Sequence, residues 1–515
     1  MLSFRIVYPL LICVFFNACS PKNQPQVEQK VYRYEAPKRE LRGVWIATVD
    51  NIDWPSAKGL SSDAQKKEFK TMISALDKMN MNAVFVQVRD ASDSFMASRL
   101  EPWSEWLSGT QGVAPEPFYD PMEFMIKETH DRGIEFHAWL NLNRGKHKAA
   151  KTLAKDAVVT LHPDWFFQYD GYTLYNFGLP EVRDYLTRIV VQMVRDYDVD
   201  GVHFDDYFYP YPSPDYKIKD EETFSKYPRG FTNIKDWRRD NIDVLIKQIS
   251  DGIKATKPYV KFGISPFGVW RNQKDDPTGS ATNGGSSYDG QFADSKKWIK
   301  NGWLDYIAPQ IYFTTYFQKV PYESTLKWWT NHNYGRHLYV GQAAYRIGGI
   351  NTDQAWKLAN QMPRQIRFNR NTSPVSGSIF FSAKSLIKNP LGFTDSLKFD
   401  LFRHKALLPT MPWKDGVAPF PPSKIYGQKD DFGVKLFWEA PKSGERPKLY
   451  AIYKFEKGER INIEHAENLL AIVSGSSIDY TDLKALKNKG LTYVVTSLDR
   501  FQNESEGTAI IGFDK

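Results

Sequence analysis

From Leu41 onward, short apolar runs alternate with longer segments whose apolar residues recur at three- and four-residue spacing. This alternation limits the fold more than any other feature of the chain. Eight runs read as strands: residues 42–47, 83–88, 135–140, 201–204, 261–265, 306–309, 337–341 and 378–381. The clearest helix covers 181–196, started by Pro180 and striped by Val182, Leu186, Ile189, Val190 and Met193. Similar stripes over 69–79, 122–131, 242–253 and 355–362 supply further crossovers. Eight strand–helix units predict a (β/α)8 TIM barrel, an α/β fold. An open doubly wound sheet would need a Gly-rich phosphate turn after an early strand, and Gly43-Val44-Trp45 offers none.

At 515 residues the chain has room for two or three domains. Residues 1–19 carry Arg5, an apolar stretch through Phe16, then Asn17-Ala18-Cys19, and read as a lipoprotein signal peptide with Cys19 as the lipidated residue. The stretch is short for a membrane span. Phe16 and Asn17 depart from the commonest lipobox, which leaves ordinary secretion or an uncleaved anchor open. Cys13 is the only other cysteine, so disulfides are not expected to hold the exported fold. Residues 20–40, with Pro21, Pro25 and Pro37, read as a flexible tether. The barrel is expected over 41–410 and a Pro-rich linker over 411–422. Strand-like runs at 434–438, 449–455, 470–474 and 491–498 then predict a small all-β immunoglobulin-like sandwich over 423–515. Trp438, Tyr493 and the closing stretch to Ser505 resemble fibronectin type III domains.

The formal charge of +8 is spread without long basic runs, so no nucleic-acid partner is expected. His130, His137 and His147 lack metal-ligand spacing and there is no phosphate loop, so neither a metal nor another cofactor is expected. The chemistry concentrates at 198–210, where an apolar strand ends in Asp205 and Asp206 among aromatics. Alternation along the strand sends His203 and Asp205 to one face and Phe204 and Asp206 to the other, so one carboxylate is expected to aim inward. The C-terminal end of a barrel strand is where this fold carries its chemistry. A plainer reading makes the pair a helix cap or the end of the sheet.

Leu41-Arg-Gly-Val-Trp-Ile46, Phe85-Val-Gln-Val-Arg89, Glu101-Pro-Trp-Ser-Glu-Trp106, His137-Ala-Trp-Leu-Asn141, Asp200-Gly-Val-His-Phe-Asp-Asp206, Ser265-Pro-Phe-Gly268 and Ala308-Pro-Gln-Ile-Tyr312 together resemble the glycosyl-hydrolase-like ten family over about residues 40 to 400. The resemblance implies a TIM barrel, bacterial export, often a lipid anchor, and hydrolysis of glycosidic bonds, most often in peptidoglycan glycan strands. The location expected is the cell envelope, lipid-anchored outside the cytoplasm on the periplasmic side or the cell surface, with the outer membrane as first choice and the polysaccharide and the membrane as partners.

Hydrolysis of a glycosidic bond generally uses two carboxyls flanking it. Asp205 is the first choice for one, with Asp206 as its alternate. Glu101, in the family's Glu-Pro-Trp-Ser motif, is the first choice for the second, with Asp289 and Asp294 as alternatives. Gln87, Arg89, Asp90, His137, Trp139, Asn141, His203, Gln310 and Tyr312, together with Arg271 and Asp289, are candidates for holding sugar groups. Trp45, Trp139 and Trp270 are candidate stacking platforms, and Tyr207 belongs to an aromatic wall. A competing reading keeps the aromatics but cleaves nothing, making the protein a glycan-binding scaffold.

Overall fold

The computed structural model describes residues 36–349, 353–456, 458–485 and 490–513. The signal peptide, Cys19 and most of the tether lie outside the described residues. Strands Leu41–Ile46, Ala83–Arg89, Glu135–Leu140, Gly201–Phe204, Lys261–Ile264, Tyr306–Ile307, His337–Gln342 and Val375–Phe381 close into one eight-stranded barrel. All neighbours are parallel, and the first strand pairs with the eighth from Leu41 opposite Gly377 to Trp45 opposite Phe381. Gly377 lets the cylinder close: at φ 152° it lies so near the first strand that a Cβ would sit 2.1 Å from the Leu41 carbonyl. The sixth strand is shorter than expected because Pro309 has no N–H for the ladder.

Helices Ser62–Asp77, Pro121–His130, Pro180–Asp196 and Ile234–Thr256 cover the barrel with their apolar stripes. The second shows its start signal: Asp120 accepts from the N–H groups of Met122 and Glu123, with Pro121 in the first turn. The helix expected over 355–362 is displaced. Gln354–Lys357 is a single 3-10 turn, Leu358 is extended, and the helix runs Gln361–Arg370. Among the described residues no helix is long and apolar enough to cross a membrane.

One element was not anticipated. After the third barrel strand, Arg144–Lys146, Phe166–Tyr169 and Tyr172–Tyr175 form an antiparallel sheet, its last two strands joined by Asp170 and Gly171, both at positive φ. This sheet rises beside the C-terminal mouth of the barrel.

The C-terminal part has a sheet of Lys424–Lys429, Val434–Glu439 and Asp479–Asp482, and another of Leu469–Ser474, Leu449–Glu456, Leu491–Leu498 and Thr508–Phe513. Val434, Leu436 and Trp438 from the first bury against Tyr450, Ile452, Tyr493 and Val495 from the second. The described residues of the barrel and these sheets, from Ala36 onward, form one compact unit.

Charged and aromatic residues in the described end of the expected tether, residues 36–40, and in the expected linker are pinned to the rest of the structure. Lys38 pairs with Glu504 at 2.7 Å, Arg39 donates to the carbonyls of Leu408 and Gln502, and Glu40 pairs with Arg42 and Arg370. In the linker Met411 is buried, Trp413 donates to Asp305 at 3.0 Å and packs edge-on against His337, and Lys414 pairs with Asp305. The segment is a seam, docked on the N-terminal end of the barrel.

Polar groups also thread the barrel interior. Trp45 Nε1 lies 3.1 Å from His203 Nε2, His203 Nδ1 lies 3.1 Å from the Tyr306 hydroxyl, that hydroxyl lies 3.1 Å from His137 Nδ1, and His137 Nε2 lies 3.2 Å from Glu135. Glu135 is paired with Lys261 at 2.6 Å and with the Gln502 amide.

Candidate active site

A cavity of about 330 Å³ opens at the C-terminal ends of the strands. The first strand and its loop give it Trp45 and Asp50, the second Gln87, the third Trp139, and the extra sheet Arg144 and Tyr172. Asp205, Asp206, Tyr207 and Tyr211 follow the fourth strand, and Ser265, Gln310 and Tyr312 complete the far wall.

Both aspartates line this cavity, so the expectation that only one aims inward is corrected. The ladder ends at Phe204, and the backbone bends at Asp206, which ends the strict alternation of faces. Asp205 is 6% exposed and accepts from Trp139 Nε1 and Asn141 Nδ2, both at 3.0 Å, and from the Tyr207 N–H at 3.2 Å. Burial raises its pKa, opposed by the nearby Arg144 charge and these donors. Asp206 is 5% exposed and accepts from the Tyr211 hydroxyl at 2.5 Å and Gln310 Nε2 at 2.7 Å. Burial first, and then the neighbouring Asp205 charge, push its pKa up to about 6. Two consecutive carboxyls thus differ in their donors: Asp205 receives three, which suit a carboxylate, whereas Asp206 has the environment of an acid that keeps its proton near neutrality.

Of the residues singled out in the sequence, Trp45, Gln87, Trp139, Asp205, Asp206, Tyr207, Gln310 and Tyr312 meet at the cavity. Others stand behind it. Asn141 reaches it through Asp205, and Asp90 holds Arg144 at 2.7 Å while accepting from Trp106. His203 touches Trp45 and Ser265 from below, and His137 is buried deeper in the barrel.

Glu101 is not brought to the cavity. Its side chain is fully buried in a bidentate pair with Arg89, at 2.7 and 2.8 Å, and Arg89 also donates to Tyr175. The pair fastens the loop after the second strand to the extra sheet. Trp270 also lies away from the cavity, stacked on Trp328 and donating to Asp294, which caps helix Ser295–Lys300. Arg271 and Asp289 pair at 3.0 Å beside a separate, shallower depression.

Arg144, His147, Tyr172, Ser265 and Tyr345 are not among the candidate site residues of the sequence, yet all line the cavity. Arg144 lies 4.5 Å over the Tyr207 ring, and Tyr207 stacks on Tyr211 at 4.9 Å, giving a cationic and aromatic wall suited to a sugar face. The Asp170-Gly171 turn between aromatic runs was a legible hairpin signal for the sheet that brings Arg144 and Tyr172 there. Among the described residues no group of three or more metal-ligating side chains gathers.

The family model for Glycosyl hydrolase-like 10 matches residues 40–358, which take in every strand that builds this cavity except the eighth. The chain belongs to the Glycosyl hydrolase-like 10 family. It is 46% identical over 481 residues to the glycosyl hydrolase YngK of Bacillus subtilis (strain 168), covering 91% of this chain and 92% of that protein. It is 37% identical over 371 residues to the glycosyl hydrolase DigH of Escherichia coli (strain K12), covering 68% of this chain and 84% of that protein. This member of the Glycosyl hydrolase-like 10 family is therefore a glycoside hydrolase, acting on the glycosidic bonds of a glycan. The scaffold reading, in which nothing is cleaved, falls away.

Proposed function

We propose that the protein is an envelope-anchored lipoprotein that hydrolyses the glycan strands of peptidoglycan, with Asp206 as the general acid and Asp205 as the ionised carboxylate beside the reacting carbon. The observation that carries the chemical part is the pair itself: two buried, consecutive carboxyls, differently solvated, in an aromatic-lined cavity at the catalytic end of the barrel. Asp206 donates its proton to the leaving oxygen, while Tyr211 and Gln310 hold the carboxyl in place and stabilise it as it becomes charged. Asp205, fixed by Trp139 and Asn141, faces the positive charge that develops on the sugar ring. Tyr207, Tyr211 and Trp45 provide ring faces against which the sugar stacks.

The envelope part rests on residues 1–19 and Cys19, which support export and lipidation. The strand order of the C-terminal sheets, three against four, supports a fibronectin type III-like module, with Trp438 in its core and the Tyr493 hydroxyl 2.9 Å from Asp482.

The test is product release from purified peptidoglycan, intact and amidase-stripped, by the full-length protein in detergent, read by mass spectrometry beside Asp206→Asn and Asp205→Asn. Glycan fragments made by the parent and lost in both variants are the expected result. Fragments from another polysaccharide, with peptidoglycan untouched, would overturn the substrate, and unimpaired variants would overturn the residues. Metabolic palmitate labelling that is lost in Cys19→Ala checks the anchor.

A further inference from the structure

Two enzyme carboxyls that cleave a glycosidic bond by themselves stand on either side of it, one for the leaving oxygen and one for the opposite face of the sugar. Here the two deeply buried cavity carboxyls are adjacent in sequence and follow the same strand, while Glu101 is closed off by Arg89. The other carboxyl of the lining, Asp50, is exposed on a loop. Among the described residues the arrangement supplies an acid and a fixed anion, but no further buried carboxyl lines the cavity. It also supplies an unused donor. The Oε1 of Gln87 is taken by the N–H groups of Thr48 and Val49, at 3.2 and 3.0 Å, which fixes the amide, and its Nε2 has no partner although the residue is 1% exposed. A buried amide left without an acceptor costs about 1–3 kcal/mol.

A carboxylate acceptor and an amide donor lining one cavity match the two ends of an acetamido group. We propose that the sugar on the non-reducing side of the cut bond bears a 2-acetamido group, and that this group is the nucleophile, held by Asp205 through its N–H and by Gln87 through its carbonyl oxygen. The inference rests on the hydrolase reading above and on Asp206 as its acid. In the first step a lone pair of the acetamido oxygen forms a bond to C1 as the bond from C1 to the leaving oxygen breaks, and the Asp206 proton passes to that oxygen. The resulting oxazolinium ion keeps its N–H against the Asp205 carboxylate, which balances its charge. In the second step water attacks C1 and gives its proton to Asp206, and the electrons of the C1–oxygen bond return to the acetamido carbonyl. The product retains its anomeric configuration, and no bond to the protein forms.

The test uses the full-length protein on peptide-free glycan strands, native or with the N-acetyl groups exchanged for N-trifluoroacetyl, whose carbonyl oxygen is a poor nucleophile. Expected are retention by proton NMR, an unmodified intact-protein mass during turnover, and a kcat on the fluorinated strands lower by about 100-fold, the scale of losing one catalytic group. Inversion, equal kcat on both strands, or a glycosyl adduct on Asp205 would each overturn the proposal while leaving the hydrolase reading standing. The same holds for cleavage confined to polysaccharides without acetamido groups. Failure to cut any polysaccharide would remove both.

Discussion

At the scale of single residues, the chemistry depends on how differently the protein solvates adjacent side chains. Asp206 is protonated below about 6, so kcat/KM is expected to fall as pH rises through that value, and a pH–rate profile on soluble glycan fragments checks it. The same shift acts on stability with a definite sign. Because the folded pKa lies above that of the unfolded chain, the folded state is penalised as pH rises from about 4 through 6. Asp206→Asn is therefore expected to lose on the order of 100-fold or more in activity while gaining on the order of 2 kcal/mol of stability at neutral pH. Urea unfolding at pH 4 and pH 7.5 separates this from a neutral substitution. Glu101 should behave the opposite way. Glu101→Gln leaves the Arg89 guanidinium buried without its counter-charge and is expected to cost about 3–5 kcal/mol, with kcat of the remaining folded enzyme little changed. A proportionate fall in kcat without loss of stability would return Glu101 to the chemistry.

At the scale of elements, the barrel was legible because eight short apolar runs recur along the chain, several of them separated by striped helices. The two aspartates were legible for a related reason, as charges that interrupt a run at its C-terminal end. What alternation could not give was the bend at Asp206, since period-two reasoning holds only while the ladder continues. Glu101 misled because a carboxylate beside two tryptophans reads alike whether it faces a cleft or an arginine 12 residues earlier; only tertiary pairing distinguishes them. Arg144 was missed because its strand is three residues long and is defined by partners more than 20 residues away. Strand spacing also depends on residues without side chains. A Cβ at Gly263 would stand 2.2 Å from the Tyr306 ring, so Gly263→Ala is expected to destabilise the barrel by about 1–3 kcal/mol through overpacking, measured by denaturant unfolding.

At the scale of the whole molecule, the N-terminal end of the barrel and the C-terminal sheets share a charged seam. Lys448 pairs with Asp200 at 3.0 Å, Arg500 with Asp198 at 2.9 Å, and Gln502 donates to Glu135. Burial alone would raise the Asp200 pKa, but His130, Lys448 and the Phe136 N–H hold it well below the usual carboxylate range. The stability it contributes is present above about pH 4 and is lost as pH falls further. Lys448→Met should shrink that acid-dependent loss and merge less of the C-terminal unfolding with that of the barrel, seen in calorimetry as a split of one transition into two. The polar thread through the barrel axis has a direction as well as a position. An indole nitrogen only donates, so His203 must receive at Nε2 and carry its hydrogen on Nδ1, the Tyr306 hydroxyl then passes its hydrogen to His137 Nδ1, and His137 points its remaining one at Glu135. Four hydrogens are thus ordered like arrows along one line, from the cavity-facing indole to the seam, and reversing any of them leaves two donors or two acceptors facing each other among fully buried side chains.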